Sequence, residues 1–447
     1  MPKNSDTITA IATPSGRGGI GVVRVSGNKT KEIFKALTGF SPKARLAQFV
    51  SFKSSDQKII DKGIALYFEA PASYTGEDVM ECHAHGSRII LGILLEEILS
   101  LGARLALPGE FTERAFINNK IDLLQAEAIA DLIDSNSKKA ARSAMQSLSG
   151  VFSDSIKELR ERVFNAKALI EAALDFPEEE GVVVDTLPAS REAQECLDVL
   201  NDLISKAEAG RVLDQNPSIV ITGRPNAGKS SVLNYLSGID SAIVSTTPGT
   251  TRDVIKEKVL LGDYAVTLFD TAGIRNTEDK VEQAGVDRAH KTLAIADIVL
   301  CVHDNTLDEA SINVDLFEHI SPGAKTIVVR NKIDLCDESN FENSKNEIYV
   351  SVKTSVGMDK LLEAICQHID IAENEEDLIF SRQRHLEDLH RISNGLKSVL
   401  SDIENGAGLE VEAESLRQCL SGFDDLTGKT TSDDVLGAVF SKFCIGK

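Results

Sequence analysis

The sequence predicts a chain of mixed class: an N-terminal α+β domain, a helical domain split into two parts, and an α/β domain inserted between those parts. Three observations predict it. Residues 1–118 mix short apolar runs with Gly and Pro. Apolar residues at helical spacing fill 119–215 and return over 373–447. Between them, over 216–372, short β-branched runs alternate with helical stretches, which is the pattern of a parallel sheet with crossover helices.

In the first domain the runs GGIGVVRVSG, GIALYFEAP and HGSRIILGILLEEILSLG predict strands and one apolar helix. In the helical part, Ile156, Leu159, Val163, Ala166, Ile170 and Ala173 recur at steps of three and four, a packing stripe on one helix. Only FPEEEG, near Pro177, interrupts this region clearly. In the inserted domain SIVIT, YAVTLFD, DIVLCVHD, KTIVVRNK and EIYVSVK predict strands. The acidic stretch AENEED then precedes the second helical part.

The 447 residues suit about three domains, and 42% hydrophobic with 26% charged residues is a globular balance. No apolar run approaches the roughly 20 residues that span a bilayer. The N-terminus lacks the apolar core of a signal peptide. Seven scattered Cys without a CxxC pair suit reduced thiols. The expectation is a cytoplasmic protein. The net charge of −21 excludes a protein that coats nucleic acid by bulk attraction. Residues 1–120 nevertheless hold 15 Lys+Arg against 12 Asp+Glu, a balance of +3, and the rest carries −24. An RNA partner would therefore meet a local basic surface, most plausibly in the N-terminal segment.

The chemistry concentrates in the inserted domain. SIVITGRPNAGKSS carries Gly223-x4-Gly228-Lys229-Ser230 after an apolar strand and before a helix. Backbone N–H groups of such a loop surround phosphates, and the helix N-terminus favours their charge. Lys229 reaches the β and γ phosphates, and the Ser230 hydroxyl ligates Mg²⁺. A similar-looking GKT at 428–430 is spaced one residue too long from Gly422 and follows no apolar strand. Three further stretches end strands, where ligands bind in open α/β sheets: DTAG (Asp270 to Gly273), NKID (Asn331 to Asp334) and SVK (Ser351 to Lys353). Asp270 holds the metal through water, and the Gly273 N–H meets the γ-phosphate. The Asp334 carboxylate accepts two hydrogen bonds from guanine N1–H and the 2-amino group; adenine offers no such pair. All four motifs in this order predict a GTPase.

STTPGTTRD, residues 245–253, lies between the first two motifs. Thr251 is the best-placed residue to complete the Mg²⁺ shell; Arg252 reads as a solvated loop charge. The predicted GTP-binding positions are Asn226, Ala227, Gly228, Lys229, Ser230 and Ser231 in the first loop. Ser245, Thr246, Thr247, Pro248, Gly249, Thr250 and Thr251 follow in the second. The strand ends supply Asp270, Thr271, Ala272 and Gly273, then Asn331, Lys332 and Asp334, then Ser351, Val352 and Lys353. Where Ras-like GTPases place a water-orienting Gln, this chain has Ile274. Another group must orient water. Glu282 is a candidate, although by residue type alone a solvated acid at a helix start is the better reading.

TPSGRGGIGVVRVSG, PGEFTERAFINNKIDLLQAEAIADLID, GRPNAGKSS, PGTTRD, DTAGIR and the ending TSDDVLGAVFSKFCIGK together resemble the MnmE (TrmE) family of tRNA modification GTPases over the whole length. The resemblance implies an N-terminal α+β tetrahydrofolate-binding and dimerisation domain (1–118). It also implies a discontinuous helical domain (119–215 and 373–447, ending in FCIGK) and an inserted Ras-like P-loop G domain (216–372). It implies a homodimer that joins an FAD-binding MnmG-type protein in a heterotetramer and acts on tRNA. The product would be an aminomethyl or carboxymethylaminomethyl group on C5 of the wobble uridine, with 5-formyl- or 5,10-methylene-tetrahydrofolate as the one-carbon source. Hydrolysis would be K⁺-stimulated. By motif position, Ser230 and Thr251 match Mg²⁺ ligands. Asn226, Ser245, Thr247 and Thr250 match K⁺ ligands, and Glu282 matches a water-positioning acid. Arg24, Glu81, Lys120 and Lys447 match folate contacts, and Cys444 an element of the modification chemistry. By composition alone Cys444 is equally a small apolar residue. Glu81, His83 and His85 alternate and would share a strand face, either a metal site or a polar strand end. Two other functions share the G domain: a ribosome-assembly GTPase switch, against which the acidic helical tail speaks, and a metabolic folate enzyme with a GTP regulator.

Overall fold

Strands form where the N-terminal runs alternate. In the computed structural model β1 (Ile8–Ile11), β2 (Gly18–Ser26), β3 (Gln48–Lys53), β4 (Ile59–Phe68), β5 (Val79–Gly86) and β6 (Arg104–Leu105) make one sheet in the order β3-β4-β5-β2-β1-β6. Its pairs are antiparallel except β1 with β6. The structure describes residues 6–135, 137–175, 187–214, 217–238, 256–270, 293, 296–307, 320–321, 323–336, 341–369, 382–429, 433–441, 443 and 446. It divides into two compact units: Met1–Ala130 with Ser147–Leu197 and Arg391–Lys447, and Asp131–Gln146 with Asp198–His390.

In the first unit, helices Thr30–Thr38 and Arg88–Ser100 cover one face of the sheet, where Val23, Val25, Phe34, Phe52, Met80, Leu94 and Ile98 are buried together. Period-two alternation leaves Glu81, His83 and His85 on the other face. Behind β1 lies a buried ion network. Glu110 and Arg114 are 0% and 2% exposed and pair at 3.0 Å. Arg114 also binds Asp6 at 2.8 Å and Glu77 at 3.1 Å, while Arg104 binds Asp6 at 2.7 Å and the second Glu110 oxygen at 2.8 Å. Buried charges are tolerated only when paired and hydrogen-bonded in this way.

The stripe on helix Val151–Asp175 buries Ile156, Leu159, Val163, Ala166 and Ile170, while Ala173, near the helix end, is only half-buried. The helix packs against helix Leu409–Thr427, which buries Leu416, Cys419, Phe423 and Leu426, and Arg160 reaches Asp424 at 2.8 Å. FPEEEG lies outside the described residues. The sequence reading missed two further breaks. Ser137 accepts a hydrogen bond from the Ala140 N–H at the start of helix Lys138–Leu148, and Gly150 turns the chain at φ +96° before the next helix. Downstream, Phe440 and Phe443 join Leu123 and Ala126 in a small apolar cluster.

In the second unit β7 (Ser218–Thr222), β8 (Lys256–Leu261), β9 (Tyr264–Asp270), β10 (Ile298–Asp304), β11 (Lys325–Asn331) and β12 (Glu347–Tyr349) form a sheet ordered β12-β11-β10-β7-β9-β8. The five strands read from the sequence pair in parallel. β8, KEKVLL, was not foreseen; it is antiparallel and at the edge, where alternating Lys is compatible with a strand. Ile219, Ile221, Leu300 and Val329 pack with Val232 and Leu236 of helix Lys229–Gly238 and with Leu361 and Ile365 of helix Met358–Ile369. Among the described residues six cysteines are free, and no helix is long and apolar enough to cross a membrane.

The ion network carries a pH dependence. Burial opposes ionisation of Asp6 and Glu110, but the hydrogen bonds and charges of Arg104 and Arg114 outweigh it and hold both carboxyls below their ordinary values. The stabilisation is therefore complete above the unfolded carboxylate range, about pH 4, and is lost as pH falls through the depressed folded values. Glu110→Gln should cost about 3–5 kcal/mol, read from hydrogen exchange of the β1 and β2 amides, and should flatten the acid limb of the stability profile.

Candidate nucleotide-binding site

The loop after β7 is shaped by two glycines and one asparagine. At Gly223 (φ +142°) a Cβ would stand 2.1 Å from the Val302 carbonyl oxygen. At Gly228 (φ +101°) it would stand 2.1 Å from Asn331 Nδ2. Asn226 takes the left-handed conformation, φ +65°, which Asn tolerates, and its side chain is exposed. The helix begins at Lys229, so first-turn N–H groups and the positive end of the dipole face the loop. The Lys229 ammonium donates to the carbonyls of Gly223 (2.8 Å) and Arg224 (2.7 Å), which folds the side chain over the loop.

Asn331 ends β11 and is 4% exposed. Its Nδ2 donates to the Ala227 carbonyl at 2.9 Å, and its Oδ1 accepts from the Val352 N–H at 3.3 Å. Its carbonyl accepts from the Asn305 N–H at 2.9 Å. One residue thus joins the phosphate loop, the SVK loop and the loop after β10. Next in sequence, Lys332 is left-handed at φ +70° and pairs with Asp304 at 2.6 Å. Asp334 Oδ1 accepts from the Ser351 hydroxyl at 2.7 Å. Burial raises the Asp304 carboxyl, but Lys332 and Thr306 outweigh it and hold it ionised below its ordinary value.

These loops enclose a cavity of about 870 Å³. Asn226, Gly228, Lys229, Ser230 and Ser231 line one end, and Lys332, Asp334, Leu335, Val352 and Lys353 line the other, with Asn331 between them. Ala227 is buried behind the loop and Ser351 beneath Asp334. The arrangement offers N–H donors and an ammonium for phosphates at one end, and a fixed carboxylate for a donor pair at the other. Sequence reasoning missed Asp304; the only sequence signal was an acid at a predicted strand end, and its place opposite Asn331 comes from the strand register. Asp270 ends β9 opposite Ile221. Ser245, Thr246, Thr247, Pro248, Gly249, Thr250, Thr251, Arg252, Thr271, Ala272, Gly273, Ile274, Glu282, Cys444 and Lys447 lie outside the described residues. The GKT decoy is a helix end: Gly428 is a left-handed C-cap.

A second polar site lies in the other unit. Arg24 on β2 binds Glu81 on β5 at 2.8 Å, and its guanidinium stands 5.4 Å from the centroid of the Tyr74 ring and 5.7 Å from that of Phe111. Glu81 also meets His83 Nε2 at 3.1 Å. Lys120 donates to the Pro71 carbonyl at 3.1 Å, on the segment that carries Tyr74. His85 turns to Asp61 instead. No group of three metal-ligating side chains occurs among the described residues; Glu81 and His83 face each other while His85 pairs with Asp61.

The parallel sheet and the cavity at its strand ends define a P-loop nucleotide-binding protein. The family model described as the MnmE helical domain matches residues 123–444, and that described as the GTP-binding protein TrmE N-terminus matches residues 7–120. The chain is 42% identical over 446 residues to the tRNA modification GTPase MnmE of Hydrogenovibrio crunogenus, covering 99% of each. It is 43% identical to that of Shewanella loihica (99% of this chain, 100% of the relative) and 45% identical to that of Coxiella burnetii (99% of each). The chain belongs to the MnmE family.

Asp334→Asn tests the base end of the cavity. It would replace an acceptor by a donor where a guanine 2-amino group would lie, and charge-assisted hydrogen bonds are worth about 1.5–3 kcal/mol each. Titration calorimetry should show GDP binding weakened at least tenfold. Xanthosine diphosphate, with a carbonyl at C2, should gain affinity over its binding to the unsubstituted chain.

Proposed function

We propose that this chain hydrolyses GTP as one component of a system that installs a (carboxymethyl)aminomethyl group on C5 of the wobble uridine of tRNA. The observation that supports the reading most is the joining of the GKS, NKID and SVK motifs in one cavity, in a chain that aligns end to end with tRNA modification GTPases. The chain works as a homodimer and in a heterotetramer with an FAD-binding MnmG-type protein.

Phosphates bind at the loop N–H groups and Lys229, and guanine at Asp334. The Ser230 side chain, exposed at the cavity directly after Lys229, fits a hard divalent cation; it holds Mg²⁺ together with Thr251. Asn226, exposed and left-handed at the phosphate end, fits an oxygen ligand for K⁺, joined by Ser245, Thr247 and Thr250. These cations supply the positive charge that phosphoryl transfer needs. Glu282 orients water in place of a glutamine. In the N-terminal domain the paired Arg24 and Glu81, flanked by the Tyr74 and Phe111 rings, suit a flat heterocycle with donors and acceptors at its edge. Tetrahydrofolate, as its 5-formyl or 5,10-methylene form, binds there with Lys120 and Lys447, and Cys444 assists the modification.

Two measurements test this. GTP turnover should be several-fold faster in K⁺ than in Na⁺, with the difference abolished in Asn226→Ala; indifference to the cation removes K⁺ from the reading. Nucleoside analysis of tRNA from a strain lacking the chain should show wobble uridines without the C5 substituent; unchanged modification overturns the proposed function.

A further inference from the structure

The Asp304–Lys332 pair is not explained by phosphate binding or by the base-reading carboxylate. β10 and β11 run parallel with Asp304 directly opposite Asn331. The last residue of β10 is therefore placed beside the first residue past β11, Lys332, whose left-handed backbone turns its side chain back across the strand ends. Asp304 uses its two oxygens differently. Oδ1 accepts from the Thr306 N–H (3.1 Å) and hydroxyl (2.7 Å), which fixes the plane of the carboxylate. Oδ2 accepts from Lys332 Nζ at 2.6 Å. The Asp304 side chain is 13% exposed and that of Lys332 31%, so the carboxylate is the shielded, fixed member and the lysine the one that reaches the cavity. Lys332 lines the base end of the cavity. A lysine there is left, by its flexible four-carbon stem, to wander unless its tip is held. Held at Asp304, the apolar stem becomes a fixed wall.

We propose that Asp304 is a positioning residue for nucleotide specificity: it anchors the Lys332 ammonium so that the lysine stem forms one flat wall of the slot that takes the purine ring. This rests on the reading of the cavity as a guanine-nucleotide site. The wall serves the base and not the phosphates, so its loss affects diphosphate and triphosphate alike.

Asp304→Asn is the selective change. An asparagine keeps the Oδ1 that holds Thr306 and replaces Oδ2 with an NH₂ group, which cannot accept from an ammonium. GDP and GTP affinities, by fluorescence competition on the full chain, should fall about five- to tenfold and by the same factor. In turnover the loss should appear as a raised KM for GTP, with kcat falling less than KM rises. The control is Lys332→Met, which retains an apolar stem and no tip to anchor. In that background Asp304→Asn should cause no further loss, whereas a residue that only braces its loop through Thr306 would cost the same in both backgrounds. Unchanged affinity in Asp304→Asn, or an equal loss in the Met background, overturns the proposal. Failure of the unsubstituted chain to bind GDP overturns the guanine-site reading itself, and the proposal with it.

Discussion

One buried amide holds the nucleotide cavity together. Asn331 spends both ends of its side chain and its carbonyl on three loops that are far apart in sequence. A carboxylate could not replace it, because it has no donor for the Ala227 carbonyl. An alanine would remove the amide partner of that buried carbonyl, at about 1–3 kcal/mol, and of the half-buried Val352 N–H, at less. Gly228 follows from the same bond. The amide approaches so closely that any Cβ at 228 would collide with it. The glycine of the phosphate loop and the asparagine of the base-reading motif are thus two halves of one contact.

The register of the parallel sheet makes this contact possible. β10 pairs with β11 from Ile298 to Asp304, and β7 pairs with β10 over four residues, ending at Thr222 opposite Cys301, so β10 and β11 run three residues past β7. The loop after β7 then runs alongside the last residues of β10 and β11, with Gly223 against Val302 and Gly228 against Asn331. Asp304, Asn331 and the turn after Thr222 meet without long connections, and hydrogen bonds of 2.6–2.9 Å close the gaps. The cavity is a consequence of strand length and register before it is a consequence of any one side chain.

Much of this was legible in the sequence, for a physical reason. Phosphate loops need glycine at fixed steps, and buried parallel strands need β-branched runs, so both leave local marks. The helix stripe from Ile156 to Ile170 is local in the same way. What was not legible is non-local. β8 opens on three consecutive charges, Lys256, Glu257 and Lys258, and becomes a strand only through its pairing with β9. Asp304 looks like an ordinary strand-end acid until the register brings it to Lys332. The ion network spans Asp6 to Arg114, and no spacing rule joins residues so far apart. Gly150 and Ser137 broke a stretch whose apolar periodicity read as nearly continuous.

The C-terminal stretch shows the same logic at the end of the chain. Termini fray unless something ties them down. Here Phe443 is 6% exposed and its ring, tilted at 41°, lies 5.7 Å from that of Phe440, in the cluster with Leu123 and Ala126. Gly446 approaches β1 so closely that a Cβ would stand 2.4 Å from the Ile11 carbonyl. In FCIGK, then, the phenylalanine is an apolar anchor and the glycine permits a close backbone approach at φ +101°. Ile11 is next to Ala10, and Ala10 pairs with Arg24 across β1 and β2. The strand that receives the tail is therefore the neighbour of the strand that carries Arg24. Gly446 and Arg24 reach this sheet from distant parts of the sequence, and Gly446 lies against the strand paired with the one that presents Arg24.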